Sequence, residues 1–297
     1  MKVLVTGVAG FVGSHIADLA IENGYDVCGI DNFSTGLKEN INPKVEFVEA
    51  DIRDFDYASF GKIDGIFHTA ALARIQPSWS NPVSYESVNV RGTLAIIKAA
   101  LDNDAKLIFS SSSSVYGVKG RLSAPMDEKY PLNPSSPYAL QKLFCENYLD
   151  LFHDVKGLRY IALRYFNVYG PRQIPNGAYA AVVGIFLDQY KKNTNFTIYG
   201  NGLQRRDFTF VKDVAKANLL AFESDKEEGV YNIGTGGNHS VLDVANYINS
   251  THNVEYLPER IGEAQETMAD YRKAYTHFGW QPTVKINEWL KNETSKT

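Results

Sequence analysis

Tyr138 and Lys142 stand four residues apart in the run Ser135-Ser136-Pro137-Tyr138-Ala139-Leu140-Gln141-Lys142. Ser136 suits a helix N-cap and Pro137 the first helical position, so the two polar side chains stack one turn apart on one face. A phenol ordinarily loses its proton near pH ~10. A neighbouring ammonium or a cationic ring favours the phenolate and lowers that value. Such a tyrosine exchanges a proton with a substrate hydroxyl at neutral pH. Leu140, Phe144 and Leu151 fall on another stripe, which frees the polar pair from the core. The spacing alone also describes an ordinary surface pair. A serine run gives it weight: Phe109 closes an apolar strand and Ser110 to Ser114 follow. Ligands sit at the carboxyl ends of central parallel strands, where such hydroxyls can reach a substrate oxygen.

A second constellation is Gly7-Val8-Ala9-Gly10-Phe11-Val12-Gly13, which follows an apolar strand and opens a helical pattern. Glycines at this spacing allow a tight turn, close backbone approach to a pyrophosphate and close helix–strand packing. The helix N-terminus adds free N–H groups and a positive dipole end. Asp31 ends the next strand, 18 residues after Gly13. An acid there binds a ribose 2′-hydroxyl and repels a 2′-phosphate, which favours NAD over NADP.

These residues need a frame, and the hydrophobic pattern supplies it. Strands are expected at 3–5, 27–30, 45–48, 65–67, 107–109 and 160–163, with helices over 11–22, 82–102 and from Ser136. Strand–helix alternation with near-continuous apolar strands predicts an α/β fold with a Rossmann-like doubly wound parallel sheet. Beyond about residue 165 the pattern loosens. A Pro/Gly-rich loop is expected over 170–178 and a helix over 179–192. Strands follow near 196–199 and 207–210, and helices near 211–223, 240–250 and 284–291. The expected division is an NAD-binding lobe over 1–165, rejoined near 208–234, and a smaller C-terminal α/β substrate lobe over 166–297.

The chain has 297 residues and a formal net charge of -4, from 30 Lys and Arg against 34 Asp and Glu. That balance argues against nucleic acid or an anionic membrane as partner. No apolar run nears the about 18 residues of a membrane span, and no signal peptide opens the chain, so a cytoplasmic protein is expected. Cys28 and Cys145 cannot form a disulfide framework and read as small apolar fillers. The six histidines show no metal spacing, and His68 reads as structural.

Taken together, these residues resemble the extended short-chain dehydrogenase/reductase superfamily, and within it the nucleotide-sugar 4-epimerases of the UDP-glucose / UDP-N-acetylglucosamine type. The resemblance covers nearly the whole chain. It runs through TGVAGFVGSH, DNFSTG, Asp51-Ile52, HTAA, VNVRGT, SSSSVYG, YALQK, RYFNVYGPR, RRDFTFV, NIGTG and PERIGE. It implies that Ser112 is the catalytic hydroxyl, Tyr138 the base, and Lys142 the group that binds the nicotinamide ribose and tunes the base. Gly7, Gly10, Phe11, Val12 and Gly13 would hold the NAD pyrophosphate. Asp31, Asn32, Ser34 and Gly36 would meet its adenosine side and Asp51 and Ile52 its adenine. Ala70, Ala71, Asn89 and Phe166 would lie along the rest of NAD, Phe166 flanking the nicotinamide. On the substrate side it implies Asn167, the helix start at Ala181 and Val182, the strand from Thr197 to Tyr199 past the uracil, and Arg206 and Arg260 on the diphosphate and ribose. It also implies a homodimer built on the helices near 82–102 and 137–153.

The implied reaction is NAD-dependent 4-epimerisation of a UDP-sugar through a transient 4-keto intermediate. The alternatives are a 4,6-dehydratase, decarboxylase or reductase on the same scaffold. Dehydratases of the superfamily carry Asp-Glu after the catalytic hydroxyl and decarboxylases usually a Glu; here Ser113 and Ser114 occupy those places. Ala73 stands where some relatives carry a cofactor-binding Lys. Thr267 aligns with the position that gates the sugar pocket, and its small size leaves room for a 2-acetamido group, so UDP-GlcNAc and UDP-GalNAc are expected beside UDP-glucose and UDP-galactose.

Overall fold

Strands covered on both faces read as near-continuous apolar runs, and Val3-Leu4-Val5, Val27-Cys28-Gly29-Ile30 and Leu107-Ile108-Phe109 do so. The computed structural model describes residues 1–117, 119–175, 177 and 180–296. Asn176 and Ala178 of the expected loop and Tyr179 of the expected helix lie outside the described residues. The first lobe contains β1 (Lys2–Thr6), α1 (Phe11–Glu22), β2 (Asp26–Asp31), β3 (Glu46–Glu49) and β4 (Gly65–His68). Next come α2 (Ile75–Ser80), α3 (Pro82–Glu86), α4 (Gly92–Asn103), β5 (Lys106–Ser112), α5 (Pro137–Lys156) and β6 (Tyr160–Tyr165). The chain continues through β7 (Val168–Tyr169), α6 (Val182–Lys191), β8 (Phe196–Tyr199), β9 (Arg205–Arg206), β10 (Thr209–Phe210) and α7 (Val211–Glu223). It closes with β11 (Val230–Ile233), β12 (His239–Ser240), α8 (Val241–Asn249), β13 (Val254–Leu257), α9 (Arg272–Phe278) and α10 (Ile286–Thr294).

Seven parallel strands form the central sheet in the order β3-β2-β1-β4-β5-β6-β11. The order reverses between β1 and β4, which opens a crevice at their carboxyl ends. Register lines those ends up: Thr6 opposes His68, His68 opposes Phe109, and Ser112 opposes Tyr165. Helices cover both faces. One apolar layer joins Val5, Ile16, Phe67, Val214 and Phe222; the other joins Leu4, Ile66, Ile96, Phe109 and Leu149. A separate core around Phe186, Phe196, Phe208, Val244 and Leu290 holds the distal elements. Cys28 and Cys145 are free and buried. No helix among the described residues is long and apolar enough to cross a membrane.

Several expectations need correction. β5 continues through Ser112, so the first three serines belong to the strand rather than to a loop after it. The helix expected over 82–102 is interrupted by a π-turn at Ser87–Arg91, where the carbonyl of Asn89 accepts from the Thr93 hydroxyl at 2.6 Å. The strand expected near 207–210 begins only at Thr209, because Asp207 is committed elsewhere. Its buried carboxylate accepts the backbone N–H groups of Thr235, Gly236 and Ala269. On α5 the stripes are reversed: Leu140, Phe144 and Leu151 are exposed, whereas Lys142 is buried. α5 itself starts where expected, with Pro137 first and the Ser136 hydroxyl accepting from the N–H of Ala139.

A buried polar network ties α5 to the sheet. The Arg164 guanidinium donates to both oxygens of Glu146 at 3.0 and 2.6 Å, and to the Tyr116 hydroxyl at 2.9 Å. Ser111 also donates to Glu146, so the wall of the crevice is anchored to this pair. Removing one partner strands the other charge out of water. Arg164→Leu is therefore expected to lower the unfolding free energy by about 3–5 kcal/mol, measured by urea denaturation; a loss below about 1 kcal/mol contradicts the account.

Candidate active site

One cavity of about 1700 Å³ runs along the carboxyl edge of the sheet and under the second lobe. The glycine loop forms one end. Gly7 has φ +70°, and a Cβ on Gly13 would lie 2.2 Å from the Gly7 carbonyl oxygen. Only glycine permits that approach, and it sets α1 directly behind the loop. Gly10 caps α1 without a side chain, and the first turn carries no acid. Its N–H groups and dipole therefore meet the cavity unobstructed, the arrangement a pyrophosphate requires. Gly7, Gly10, Phe11, Val12 and Gly13 all line it. NAD fits this end on that observation.

Asp31 accepts from the N–H groups of Ala9 at 3.0 Å and Phe33 at 2.8 Å, which fixes its carboxylate against the glycine loop. Burial raises its pKa, and the backbone donors pull it back. Asn32 donates to Asp51 at 3.1 Å, and Arg53 grips Asp51 with two bonds of 2.8 and 2.7 Å. That guanidinium holds the Asp51 pKa down at about 2. Ser34, Asp51 and Ile52 share this wall, and Ala70 and Ala71 line the stretch beyond.

Ser112 and Tyr138 meet midway along the cavity. The Ser112 hydroxyl and the charge of Arg74 both favour the Tyr138 phenolate. Burial outweighs both and raises the phenol pKa. The Lys142 ammonium donates to the Ser110 carbonyl at 2.7 Å and lies 6.0 Å from the Tyr138 ring centroid. Burial lowers its own pKa to about 8. His68 bridges the hydroxyls of Thr6 at 2.7 Å and Thr93 at 3.0 Å. Burial pushes its pKa down to about 3, so it is a neutral structural group.

The second lobe supplies the far wall. Asn167 donates to the Asp207 carbonyl at 3.1 Å and to the Thr267 hydroxyl at 3.2 Å. Ala181 caps α6 in an extended conformation with no side-chain cap, so α6 begins at Val182, three residues later than expected, with its N-terminus at the cavity. Thr197 and Tyr199 line the same wall. The Arg260 guanidinium stacks 3.6 Å from the Tyr199 ring centroid. Arg206 and Arg260 converge as expected, with Glu263 between them at 3.5 and 3.7 Å.

Four expected residues are not on the wall. Gly36 packs its backbone against Ala9 and Asp31. Phe166 is fully buried with Val115, Tyr116 and Ala269, and its neighbours Tyr165 and Asn167 face the cavity instead. Asn89 spends its amide on the N–H and C=O of Leu72, at 2.9 and 3.0 Å, and on Gln141. It shapes the wall from behind. Lys142 likewise lies behind it, on Ser110. Sequence reading missed Arg53, Arg74 and Glu263. Glu263 lies inside PERIGE, but only the structure shows it between two arginines. Arg74 follows HTAALA with no periodic signal at all.

With this geometry in view, similarity to known proteins is informative. Residues 3–234 match the model of the NAD dependent epimerase/dehydratase family. A putative UDP-glucose 4-epimerase of Methanocaldococcus jannaschii is 43% identical over 308 residues, covering 98% of each chain. The solved UDP-N-acetylglucosamine 4-epimerase of Methanobrevibacter ruminantium, in complex with UDP-N-acetylmuramic acid, superposes with a TM-score of 0.92 at 39% identity, over 99% of this chain and 97% of that one. The UDP-glucose 4-epimerase of Thermus thermophilus, in complex with NAD, gives a TM-score of 0.92 at 34% identity, over 99% and 98%.

The Gly13 contact yields a test of the cofactor end. Gly13→Ala places a methyl group into the Gly7 carbonyl, so NAD binding measured by calorimetry is expected to fall at least ~100-fold, about 2.7 kcal/mol. Unchanged affinity contradicts the pyrophosphate assignment.

Proposed function

This chain belongs to the NAD-dependent epimerase/dehydratase family, within the extended short-chain dehydrogenase/reductase superfamily, and its cofactor is NAD; on that premise we propose that it is a UDP-sugar 4-epimerase. The observation that supports this reading is the chemistry around Ser112. The described carboxylates lining the cavity are Asp31, Asp51, Glu259 and Glu263. Asp31 and Asp51 stand with the glycine loop, Glu263 is engaged by Arg206 and Arg260, and Glu259 lies in the far lobe beside Gly200. Beside Ser112 come Ser113 and Ser114. Dehydration needs a further acid or base there; epimerisation needs one proton shuttle, and Tyr138 is that group.

When bound, NAD supplies the hydride acceptor and returns the hydride in each cycle, so the net reaction is redox-neutral. Gly7, Gly10 and Gly13 with the α1 N-terminus hold its pyrophosphate, and Asp31 its adenosine ribose. Tyr138 takes the proton of the sugar 4-hydroxyl and returns a proton to the new alcohol. Ser112, which lines the same stretch of the cavity, orients that exchange. Arg206 and Arg260 hold the diphosphate as permanently charged donors while the 4-keto sugar turns about its linkage. The relatives differ in their sugars. UDP-glucose and UDP-galactose, with their 2-acetamido counterparts, are the neutral candidates consistent with a small Thr267 at the wall.

Val83, Leu140, Phe144, Leu151 and Val155 are exposed on α3 and α5. Large apolar residues gathered on a helix face favour a covering partner. We infer a homodimer through these helices; sedimentation as a dimer that Phe144→Glu dissociates is expected, and a wild-type monomer contradicts it.

Tyr138→Phe is expected to lower kcat by about 10²–10⁴-fold with the circular dichroism spectrum retained. Ser112→Ala removes a hydroxyl that lowers the Tyr138 pKa. The acid limb of its pH–rate profile should therefore move to higher pH, and an unmoved limb contradicts the coupling.

A further inference from the structure

We infer that Ser78, a buried serine on α2 outside every motif named above, is a positioning residue for the proton exchange. Its hydroxyl fixes the backbone of Tyr138, and with it the place of the phenol; this rests on the reading of Tyr138 as the base.

A helix leaves its first N–H groups without partners inside the helix, and Pro137 contributes none. At the start of α5 the Ala139 N–H is met by the Ser136 hydroxyl at 3.2 Å and the Leu140 N–H by the Ser136 carbonyl at 3.0 Å. The Tyr138 N–H instead reaches the Ser78 hydroxyl at 3.3 Å, 60 positions away in the chain. Ser78 is fully buried, and its own proton goes to the Ile75 carbonyl at 2.6 Å. A hydroxyl has one proton, so the Ser78 oxygen is committed to accepting from Tyr138. A buried N–H that loses its acceptor is costly. The residue that carries the phenol is therefore the one that α5 fixes from outside itself.

α2 has six residues and cannot hold a position alone. The nucleotide-binding side of the cavity holds it. Gln76 donates to the Ile261 carbonyl at 2.9 Å, and Ser135 donates to the Gly262 carbonyl at 2.9 Å. Gly262 has φ +81°, and a Cβ there would lie 2.8 Å from the Ser135 carbonyl oxygen and 3.2 Å from Nε1 of Trp79. The segment that carries Arg260 and Glu263 is thus seated against both α2 and the residue before the α5 N-cap. Ile75, Gln76, Pro77 and Trp79 line the cavity, whereas Ser78 faces α5. Ser78 therefore acts through Tyr138 rather than on the sugar. The leverage is geometric, because misplacing a reacting group by about 1 Å costs on the order of 10²-fold in rate.

The test compares wild type, Ser78→Ala, Tyr138→Phe and the variant carrying both changes, on the NAD-loaded protein with UDP-glucose and with UDP-N-acetylglucosamine. Ser78→Ala is expected to lower kcat about 10-fold, with KM, NAD affinity and the circular dichroism spectrum unchanged. In the Tyr138→Phe background the same change should cost nothing further, because the group that Ser78 places is gone. An unchanged kcat in Ser78→Ala overturns the inference. So does an equal loss in both backgrounds, which marks Ser78 as a structural residue alone. If neither sugar is epimerised, the 4-epimerase reading fails by itself, and hydrogen exchange of the Tyr138 amide, read by mass spectrometry with electron-transfer fragmentation, decides the placement. Exchange at least ~10-fold faster in Ser78→Ala upholds it, and an unchanged rate refutes it.

Discussion

The approach of Gly13 to the carbonyl of Gly7 is the constraint on which the rest of this molecule depends. A side chain on Gly13 would strike the Gly7 carbonyl and push α1 away from the end of β1, and one on Gly7 would strike the backbone of Ala70. With α1 seated there, its N-terminus opens on the crevice where the strand order reverses, and a pyrophosphate can lie against backbone alone. The parallel register then does the remaining placement. It sets Thr6, His68, Ser112 and Tyr165 along one edge, so the cofactor end and the serine–tyrosine pair share a single cavity.

Electrostatics in that cavity is a contest between desolvation and a few fixed partners. At Tyr138 burial dominates, while Ser112 and Arg74 oppose it. At Asp51 the Arg53 guanidinium dominates instead, because that pair is more open to solvent. Arg206 and Arg260 are restrained by Glu263, which keeps two like charges close without collapse of the site. Lys142 ties α5 to the sheet. Its ammonium fixes the Ser110 carbonyl at the start of the serine run, and the ring of Phe109 lies 4.7 Å away.

Much of the fold was legible because its signals are local. Apolar runs marked six of the seven sheet strands, the Ser136-Pro137 pair marked the start of α5, and 211–223 coincides with α7. β11 was not separately marked, since its four residues, VYNI, carry too little pattern. The π-turn at Ser87–Arg91 left no local mark; within it Asn89 bonds the backbone of distant Leu72, a contact that no window of sequence reports. The same limit governs the site. The glycines, Asp31 and the Tyr138–Lys142 pair are recognisable by spacing, and Ser112 by the family resemblance of its serine run. The exclusion of Phe166 and Asn89 from the wall depends on which side of an element faces inward. Arg74 depends on a strained backbone, with φ +103°, that no composition reports.

The central claim is that Tyr138 and the bound NAD carry a reversible oxidation at carbon 4 of a UDP-sugar, with no other bond altered. Its most direct test is turnover of C4-deuterated UDP-glucose and UDP-N-acetylglucosamine in ordinary water, followed by NMR. The account predicts a 4-epimer that keeps its deuterium at carbon 4, with no net NADH. Loss of the deuterium to solvent, or a dehydrated or decarboxylated product in place of the epimer, contradicts it.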